Sequence, residues 1–440
     1  MDGAQALIKT LSELGIEYVF GYSGGAALPI FDALETVESD IKFVLSRHEQ
    51  GACHMADGYA RATGKPAVVL VTSGPGAGNT ITGIMTAHMD SIPMIVISGQ
   101  QVTWMLGKDA FQEADTFGLT MPVVKHNYLV RETNELPRAA KEAYYIATTG
   151  RPGPVLIDIP KDVSQSEFTG DLDPEIDLPG YDPKVAFNID KEAVKTAAEI
   201  ISHSKKPVIL AGHGTMIARA DKELMELATT LNCRVTSTLL GKGVFPETHP
   251  LSLGMLGMHG TAYANKAMVE CDLIINVGSR FDDRIIGQAD KFGASAKIIH
   301  IDIDPSSINK IIKVDLAIVG DVNEVLKTVI KRISKKHNGF KNSNKQNTSK
   351  WWEQIQKWRT KDSLGFINSE ETIKPQHAIE RLYELTKDVD TFITTEVGQH
   401  QMWAAQYLSL IHISEPTRPE RIADCRVGLK KKMGGGGGGG

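Results

Sequence analysis

The chain has 440 residues, of which 42% are hydrophobic and 23% charged, with a formal net charge of −5. That length builds two or three domains. The charge balance excludes a basic nucleic-acid binder, and no apolar run reaches the roughly 18–20 residues of a membrane span. The cysteines Cys53, Cys233, Cys271 and Cys425 are scattered without a CxxC pair, which argues against a zinc site or disulfide framework and fits a reducing, cytoplasmic setting.

The N-terminal "MDGAQALIKTLSELG" predicts an amphipathic helix without a signal signature. Then "IEYVFGY", "IKFVLS", "AVVLVTSG", "MIVISG" and "GPVLIDIP" read as buried strands, with helical patterns between most of them. That is the pattern of a parallel α/β sheet. This first unit is placed at residues 1–165, and a polar, Pro/Gly-punctuated connector at 166–188. A second α/β unit, 189–334, carries "KPVILAGHG", "RVTSTLLGKG", "CDLIINVGSR", "AKIIHIDIDP" and "DLAIVGD". Residues 335–350 are basic and Asn/Ser-rich and read as a solvated linker. Residues 351–407 then open a third α/β unit with helices and "TFITTEVGQHQMWAAQYL". From residue 408 the periodicity stops, "LSLIHISEPTR" resembles a translated sequencing adapter, and the chain ends in seven glycines. Residues 408–440 are therefore expected to be a non-native tail that leaves the third unit truncated.

Chemistry concentrates in "VLSRHEQGACHMADGYARATGKPAVVLVTSGPGAGNT". Glu49 stands at the start of a helix rich in small residues. A helix-start Glu is favoured by the macrodipole alone, but small residues also allow a ligand to approach closely. The loop "TSGPGAGNT" follows a strand and suits a backbone turning under a ligand. It is neither a Walker A loop nor a good dinucleotide fingerprint. Cys53 and His54, neighbours on the same helix, read as packing residues rather than metal ligands. "GHGT" at Gly212 to Thr215 reads as a plain tight turn.

In order along the chain, "FGYSGGAALPIFDAL", "RHEQGACHMADGYARATGKP", "TSGPGAGNT", "GKDAFQEADTFGLTMPVVKHNY", "RPGPVLIDIPKD", "LGMLGMHGT", "GSRFDDR", "HIDIDP" and "EVGQHQMWAAQY" resemble the acetolactate synthase (acetohydroxyacid synthase) catalytic large subunits, from about residue 1 to 407. The resemblance implies consecutive parallel-sheet α/β domains of the thiamine-diphosphate enzyme type. It implies thiamine diphosphate, magnesium and a structural FAD as cofactors, and condensation of pyruvate with a second 2-keto acid in branched-chain amino acid biosynthesis. By that resemblance Glu49 hydrogen-bonds the cofactor's pyrimidine nitrogen and promotes the imino tautomer that removes the thiazolium proton. Gly25 lies in a loop that approaches the cofactor from a partner chain. Gly398, Gln399 and His400 open the diphosphate-binding domain. Phe111, Gln112, Lys161 and Met258 line the substrate pocket, and Arg284 holds the second keto acid's carboxylate, a task suited to the guanidinium fork. Arg151, His259, Gly260, Thr261, Arg280, Asp302 and Asp321 match the FAD site.

Departures from the family pattern are Ser23 in place of a usual Pro and the missing Gly-Asp-Gly…Asn segment whose side chains hold magnesium, and "GQQVTWMLG" differs from the plant-like form, which has Pro and Arg residues there. No metal residue is therefore assigned, and the chain as written is expected to be inactive. Expected partners are a second copy or a dimer of dimers with a shared site, small 2-keto acids, and a small regulatory subunit. The rivals are another thiamine-diphosphate enzyme (pyruvate oxidase, glyoxylate carboligase or benzoylformate decarboxylase type), a nicotinamide oxidoreductase, and a non-catalytic FAD-binding or dimerising fragment.

Overall fold

The structure, a computed structural model, describes residues 1–181, 188–335, 340–361, 364–389, 393–395 and 397–408. These form two compact units, one up to residue 181 and the other from residue 188. The residues read as a non-native tail lie, apart from Leu408, outside the described residues.

The first unit holds six parallel strands: β1 (Tyr18–Gly21), β2 (Lys42–Leu45), β3 (Ala67–Val71), β4 (Met94–Gln100), β5 (His126–Leu129) and β6 (Pro154–Pro160). They lie in the order β2-β1-β3-β4-β6-β5. The helices are α1 (Gly3–Glu13), α2 (Leu28–Thr36), α3 (Glu49–Thr63), the single turn α4 (Pro75–Gly78), α5 (Ile81–Asp90), α6 (Thr116–Thr120), α7 (Leu136–Thr148) and α8 (Lys161–Gln165). Every residue of β3, β4 and β6 is buried, as a sheet covered on both faces requires. One face packs on Leu7, Ile30, Leu136 and Ile146, the other on Ala52, Cys53, Ala56 and Ile84.

Local chemistry sets the helix ends. Asp2 caps α1 in a reciprocal capping box with Gln5, whose backbone N–H donates to Asp2 Oδ1 over 2.8 Å. Helix α3 is capped by His48, whose Nδ1 accepts from Gln50 N–H at 3.1 Å, and stops at Gly64 with φ of 70°. Its small residues let α5 approach so closely that a Cβ on Gly83 would lie 2.2 Å from Cys53 Cβ.

The second unit repeats the theme with β7 (Pro207–Ala211), β8 (Arg234–Ser237), β9 (Ser252–Met255), β10 (Leu273–Val277), β11 (Lys297–Asp302) and β12 (Leu316–Val319), all parallel, in the order β12-β11-β10-β7-β8-β9. Its helices are α9 (Lys191–His203), α10 (His213–Ile217), α11 (Asp221–Leu231), α12 (Ala262–Glu270), α13 (Asp283–Ile286), α14 (Val322–Lys335), α15 (Phe340–Arg359), α16 (Pro375–Thr386) and α17 (Gln399–Tyr407).

Two expectations change. The stretch 335–350, read as a linker, is helical from Phe340 onward. No Gly or Pro interrupts residues 340–359, and Trp351 and Ile355 bury the far half of α15 against the core of the second unit. A polar first half is thereby carried as the extension of an anchored helix. The predicted strand in "TFITTEV" is not present at its described residues 393–395; the remainder falls largely on residues outside the description.

Cys53, Cys233 and Cys271 are free thiols, all buried. Burial is the largest cause raising each thiol's pKa, to about 12 for Cys233 and Cys271, and upward likewise for Cys53.

The tight α3–α5 contact yields a prediction. Gly83→Ala drives a methyl into a Cβ that cannot rotate away, and overpacking of this kind costs about 1–3 kcal/mol. The denaturant midpoint should fall accordingly, and an unchanged midpoint would show that the helices separate freely.

Candidate active site

In an open parallel sheet, ligands bind beyond the carboxyl ends of the strands, where the strand order reverses. In the first unit the chain moves from β1 to β2 on one side and then returns to place β3 on the other side of β1. The loops after β1, β2, β3, β4 and β6 therefore emerge on one edge, carrying Gly25, Glu49, the Gly-rich turn, Phe111 with Gln112, and Lys161 respectively.

Glu49 is the first residue of α3 and is only 9% exposed. Asn79 donates its side-chain N–H to Glu49 Oε2 at 3.0 Å. The other oxygen, Oε1, lies 3.6 Å from where a Cβ on Gly76 would stand. Any side chain at position 76 would fill the space that this oxygen faces, and would also press on Thr72 Cγ2 at 2.7 Å. Gly74, with φ of 58°, lies beneath the backbone of Gln112, whose carbonyl oxygen would be 2.5 Å from an added Cβ. The loop after β1 joins the same wall: Ala26 N–H donates to Thr72 Oγ1 at 3.3 Å, and Gly24 abuts Thr72. Around Gly25 itself there is open space for a side chain. A carboxylate pinned at one oxygen, above a glycine floor, fits a flat heteroaromatic ring that offers a protonated or protonatable nitrogen.

Phe111 is 84% exposed and Gln112 is also exposed, so the predicted pocket pair sits at the rim of the unit. Lys161 opens α8 directly after β6. Asn79 was not among the residues picked out from the sequence, although it stands inside the quoted "TSGPGAGNT"; a donor one turn beyond a Gly-rich loop was the available signal.

In the second unit the order reverses between β7 and β10. The turns after those two strands interlock. Gly214 N–H donates to Gly278 O at 2.9 Å, and a Cβ on Gly212 would lie 2.3 Å from the same oxygen. The stretch Gly212 to Thr215, read from the sequence as a plain tight turn, is instead the cap and first residues of α10, and it occupies the reversal point itself. Around this edge stand His259, Gly260 and Thr261 after β9, Arg280 after β10, Asp302 at the end of β11, and Asp321 after β12. A Cβ on Gly260 would meet the Met255 carbonyl oxygen at 2.4 Å. Thr261 caps α12, its hydroxyl also donating to Leu253 O at 3.0 Å. Arg280 pairs with Asp282 at 3.1 Å. Asp302 accepts from Asp304 N–H at 2.9 Å and has the fully buried His300 Nε2 3.5 Å from its other oxygen. Among the described residues, neither His300 nitrogen nor Asn276 Oδ1 has a hydrogen-bond partner. Glycines leaving backbone bare, an acidic side chain at a strand end and unpartnered polar atoms beneath it fit a nucleotide-type cofactor with ribose hydroxyls.

Met258 and Arg284 are brought together. Met258 N–H donates to Arg284 O at 2.9 Å, and Gly257, with φ of 95°, lies under that carbonyl. The Arg284 guanidinium lies 3.8 Å from Asp283, both side chains largely exposed, an arrangement that contributes little to stability. Arg151 is the one flavin candidate outside the second unit. It belongs to the first unit, before β6 and so at the opposite edge from Glu49, where its Nε donates to Ser91 Oγ at 2.8 Å. Gly398 precedes α17, and Gln399 and His400 form its first turn. That helix is tied to the FAD candidates through Gln406, which donates to His259 O at 2.7 Å.

The thiamine pyrophosphate enzyme N-terminal TPP binding domain matches residues 1–119, and the thiamine pyrophosphate enzyme central domain matches residues 194–329. The acetolactate synthase large subunit of Haemophilus influenzae is 46% identical over 407 residues, covering 92% of this chain and 70% of that protein. This chain belongs to the acetolactate synthase large-subunit family. Other members are similarly related: isozyme 3 of Escherichia coli is 46% identical over 411 residues, with 92% of this chain and 70% of that protein covered. A probable large subunit of Methanococcus aeolicus is 46% identical over 417 residues, with 92% and 69% covered. Among the described residues no helix is long and apolar enough to cross a membrane, and no group of three or more His, Cys, Asp or Glu is placed to hold a metal ion.

One polar group lies beneath the candidate site rather than at it. Asp158, on β6, is 1% exposed, and its carboxylate accepts from Ser98 Oγ at 2.6 Å and Gln100 Nε2 at 2.9 Å. Burial raises its pKa to about 7; the two hydrogen bonds oppose that rise, and Asp115 adds to it. The unfolded carboxyl ionises near pH 3.9. Between that value and about 7 the folded chain holds the proton more tightly, so this group's contribution to stability falls as pH rises through the window. Asp158→Asn removes the slope. The midpoint of the variant relative to the parent should therefore climb from pH 4 to pH 7 and level off above it, as chemical denaturation at several pH values would show.

Proposed function

We propose that this chain supplies part of the acetolactate-forming chemistry of its family, with Glu49 as the carboxylate that exchanges a proton with the pyrimidine ring of thiamine diphosphate. The observation that carries the reading is the Asn79–Glu49–Gly76 arrangement, in which one carboxylate oxygen is occupied and the other faces a floor without side chains. When bound, the cofactor supplies an acidic ring carbon and an electron sink for decarboxylation of a 2-keto acid. Glu49 holds a proton at Oε1 against the ring nitrogen, and Asn79 fixes the plane of the carboxylate. Gly25 and Gly76 keep backbone close without blocking the ring. In the first unit Phe111, Gln112 and Lys161 are assigned to substrate; in the second unit Met258 is assigned to substrate too, and Arg284 to the carboxylate of the second keto acid, pyruvate or 2-ketobutyrate. Gly398, Gln399 and His400 approach the diphosphate. Magnesium is assigned no residue of this chain.

FAD belongs to the second unit, held by His259, Gly260, Thr261, Arg280, Asp302 and Asp321. A second copy of the chain is supported by the exposed Met55 on α3, Met85 and Met89 on α5, and Leu119 and Met121 at α6, a run of apolar surface beside the Glu49 helix. The name shared by the relatives implies a small regulatory subunit, and a cytoplasmic setting accords with the buried, unpaired thiols.

The reading is tested by acetolactate formation from pyruvate with thiamine diphosphate and magnesium. The chain as written is compared with a chimera whose residues from 408 onward are replaced by the corresponding part of the Escherichia coli relative. The chimera should turn over and the chain as written should not. Glu49→Gln in the chimera should lower kcat by about 10²–10⁴-fold, the usual contribution of a positioned proton-transfer group; an undiminished rate overturns the assignment of Glu49. For the flavin, Asp302→Ala should weaken FAD retention about ten- to hundredfold, the value of a hydrogen bond to a charged group. Equilibrium dialysis followed at the flavin absorbance checks this, and equal retention removes Asp302 from the site.

A further inference from the structure

The loop between β4 and α6 carries Phe111 and Gln112 and bears visible strain. Asp109 and Gln112 adopt φ of 55° and 58°, a region that L residues with side chains enter only when their surroundings hold them there. Part of the restraint is local: Glu113 accepts from Gly107 N–H and from Ala110 N–H, the latter at 2.9 Å. The rest comes from below. Gln100, at the end of β4 and 2% exposed, uses both ends of its amide. Its oxygen accepts from Gln101 N–H at 2.8 Å, and its nitrogen donates to Ala114 O at 2.9 Å and to Asp158 Oδ2 at 2.9 Å. Gln101 then donates to Phe111 O at 2.7 Å and reaches Ser73 Oγ, in the Gly-rich turn, at 3.4 Å.

An amide turned by 180° would present oxygen to a carboxylate that can only accept when ionised. We propose that Asp158 is a positioning residue: it fixes the orientation of the Gln100 amide, and through it ties both ends of the 101–115 loop so that Phe111 and Gln112 are held over the Gly-rich turn. This rests on the reading of Phe111 and Gln112 as substrate-pocket residues only for its functional meaning; the restraint itself is a property of the chain. Asp158 supplies the direction, Gln100 the two-ended clamp, and Gln101 the last link. Ser98 bonds the other oxygen of Asp158 and leads nowhere near the loop, so it serves as an internal control.

Hydrogen exchange read by mass spectrometry on the full chain at pH 8, where Asp158 is largely ionised, tests the proposal. Asp158→Ala and Gln100→Leu should each speed exchange of peptides covering 101–115 about five- to tenfold, the loss of one or two hydrogen bonds, while peptides of β4 and β6 stay protected. The double variant should loosen the loop no further than either single one. Ser98→Ala should leave it unchanged. Wild-type protection of 101–115 in both single variants overturns the proposal. So does loosening by Ser98→Ala as large as that of Asp158→Ala, since that pattern is generic core damage. If Asp158→Ala does not fold, Asp158→Val, which keeps the volume but accepts no hydrogen bond, takes its place. Failure of the Glu49 assay leaves these exchange results untouched, so the two readings fall separately.

Discussion

The reversal of strand order between β1 and β3 is the constraint from which the first unit's chemistry follows. Parallel strands must all point one way, so every loop that leaves a carboxyl end arrives on the same edge. At the reversal, loops from neighbouring strands diverge and leave a crevice. Glu49, Asn79 and the glycines are distant in sequence yet meet there because β1, β2 and β3 are in register, with Val19 beside both Phe43 and Val68. The second unit obeys the same rule between β7 and β10, and its glycines interlock at the corresponding place.

Within that frame, small residues do two different jobs. On α3 they bring a neighbouring helix within contact distance, which fixes the axis of the helix that starts at Glu49. In the Gly-rich turn they remove side chains from the ground in front of the carboxylate. A larger residue at 76 would be tolerated by the fold only by pushing Thr72 aside, whereas at 74 it would strike backbone. The two glycines thus differ in kind: one guards space for a ligand, the other permits two loops to stack.

Much of this was legible in the amino-acid order. The long apolar runs of β3, β4 and β6 announce themselves because central strands bury both faces, and the helix start at Glu49 is marked by its position after "IKFVLS". Two strands escaped notice, β5 with "HNYL" and β9 with "SLGM". Both are four-residue edge strands, which have one neighbour and need no continuous apolar run. Asp158 escaped for the opposite reason. It is embedded in "PVLIDIP", where the apolar neighbours identify a buried strand but cannot say which polar groups face the one acid. Asn79 needed the turn of α4 to bring it back toward Glu49, a fact of three-dimensional closure rather than of spacing. The linker reading of 335–350 failed because composition describes solvation, and α15 is held by Trp351 and Ile355 further along.

The buried thiols have a chemical corollary. Reaction with oxidants and alkylating reagents proceeds through the thiolate, and Cys53, Cys233 and Cys271 are all buried with the neutral form strongly favoured. While the two sheets stay folded, these sulfurs are inert bulk, closer in behaviour to alanine or valine than to a nucleophile. Labelling by a maleimide at any of the three would therefore report opening of the surrounding layer, which turns each cysteine into a native marker of where the protein breathes.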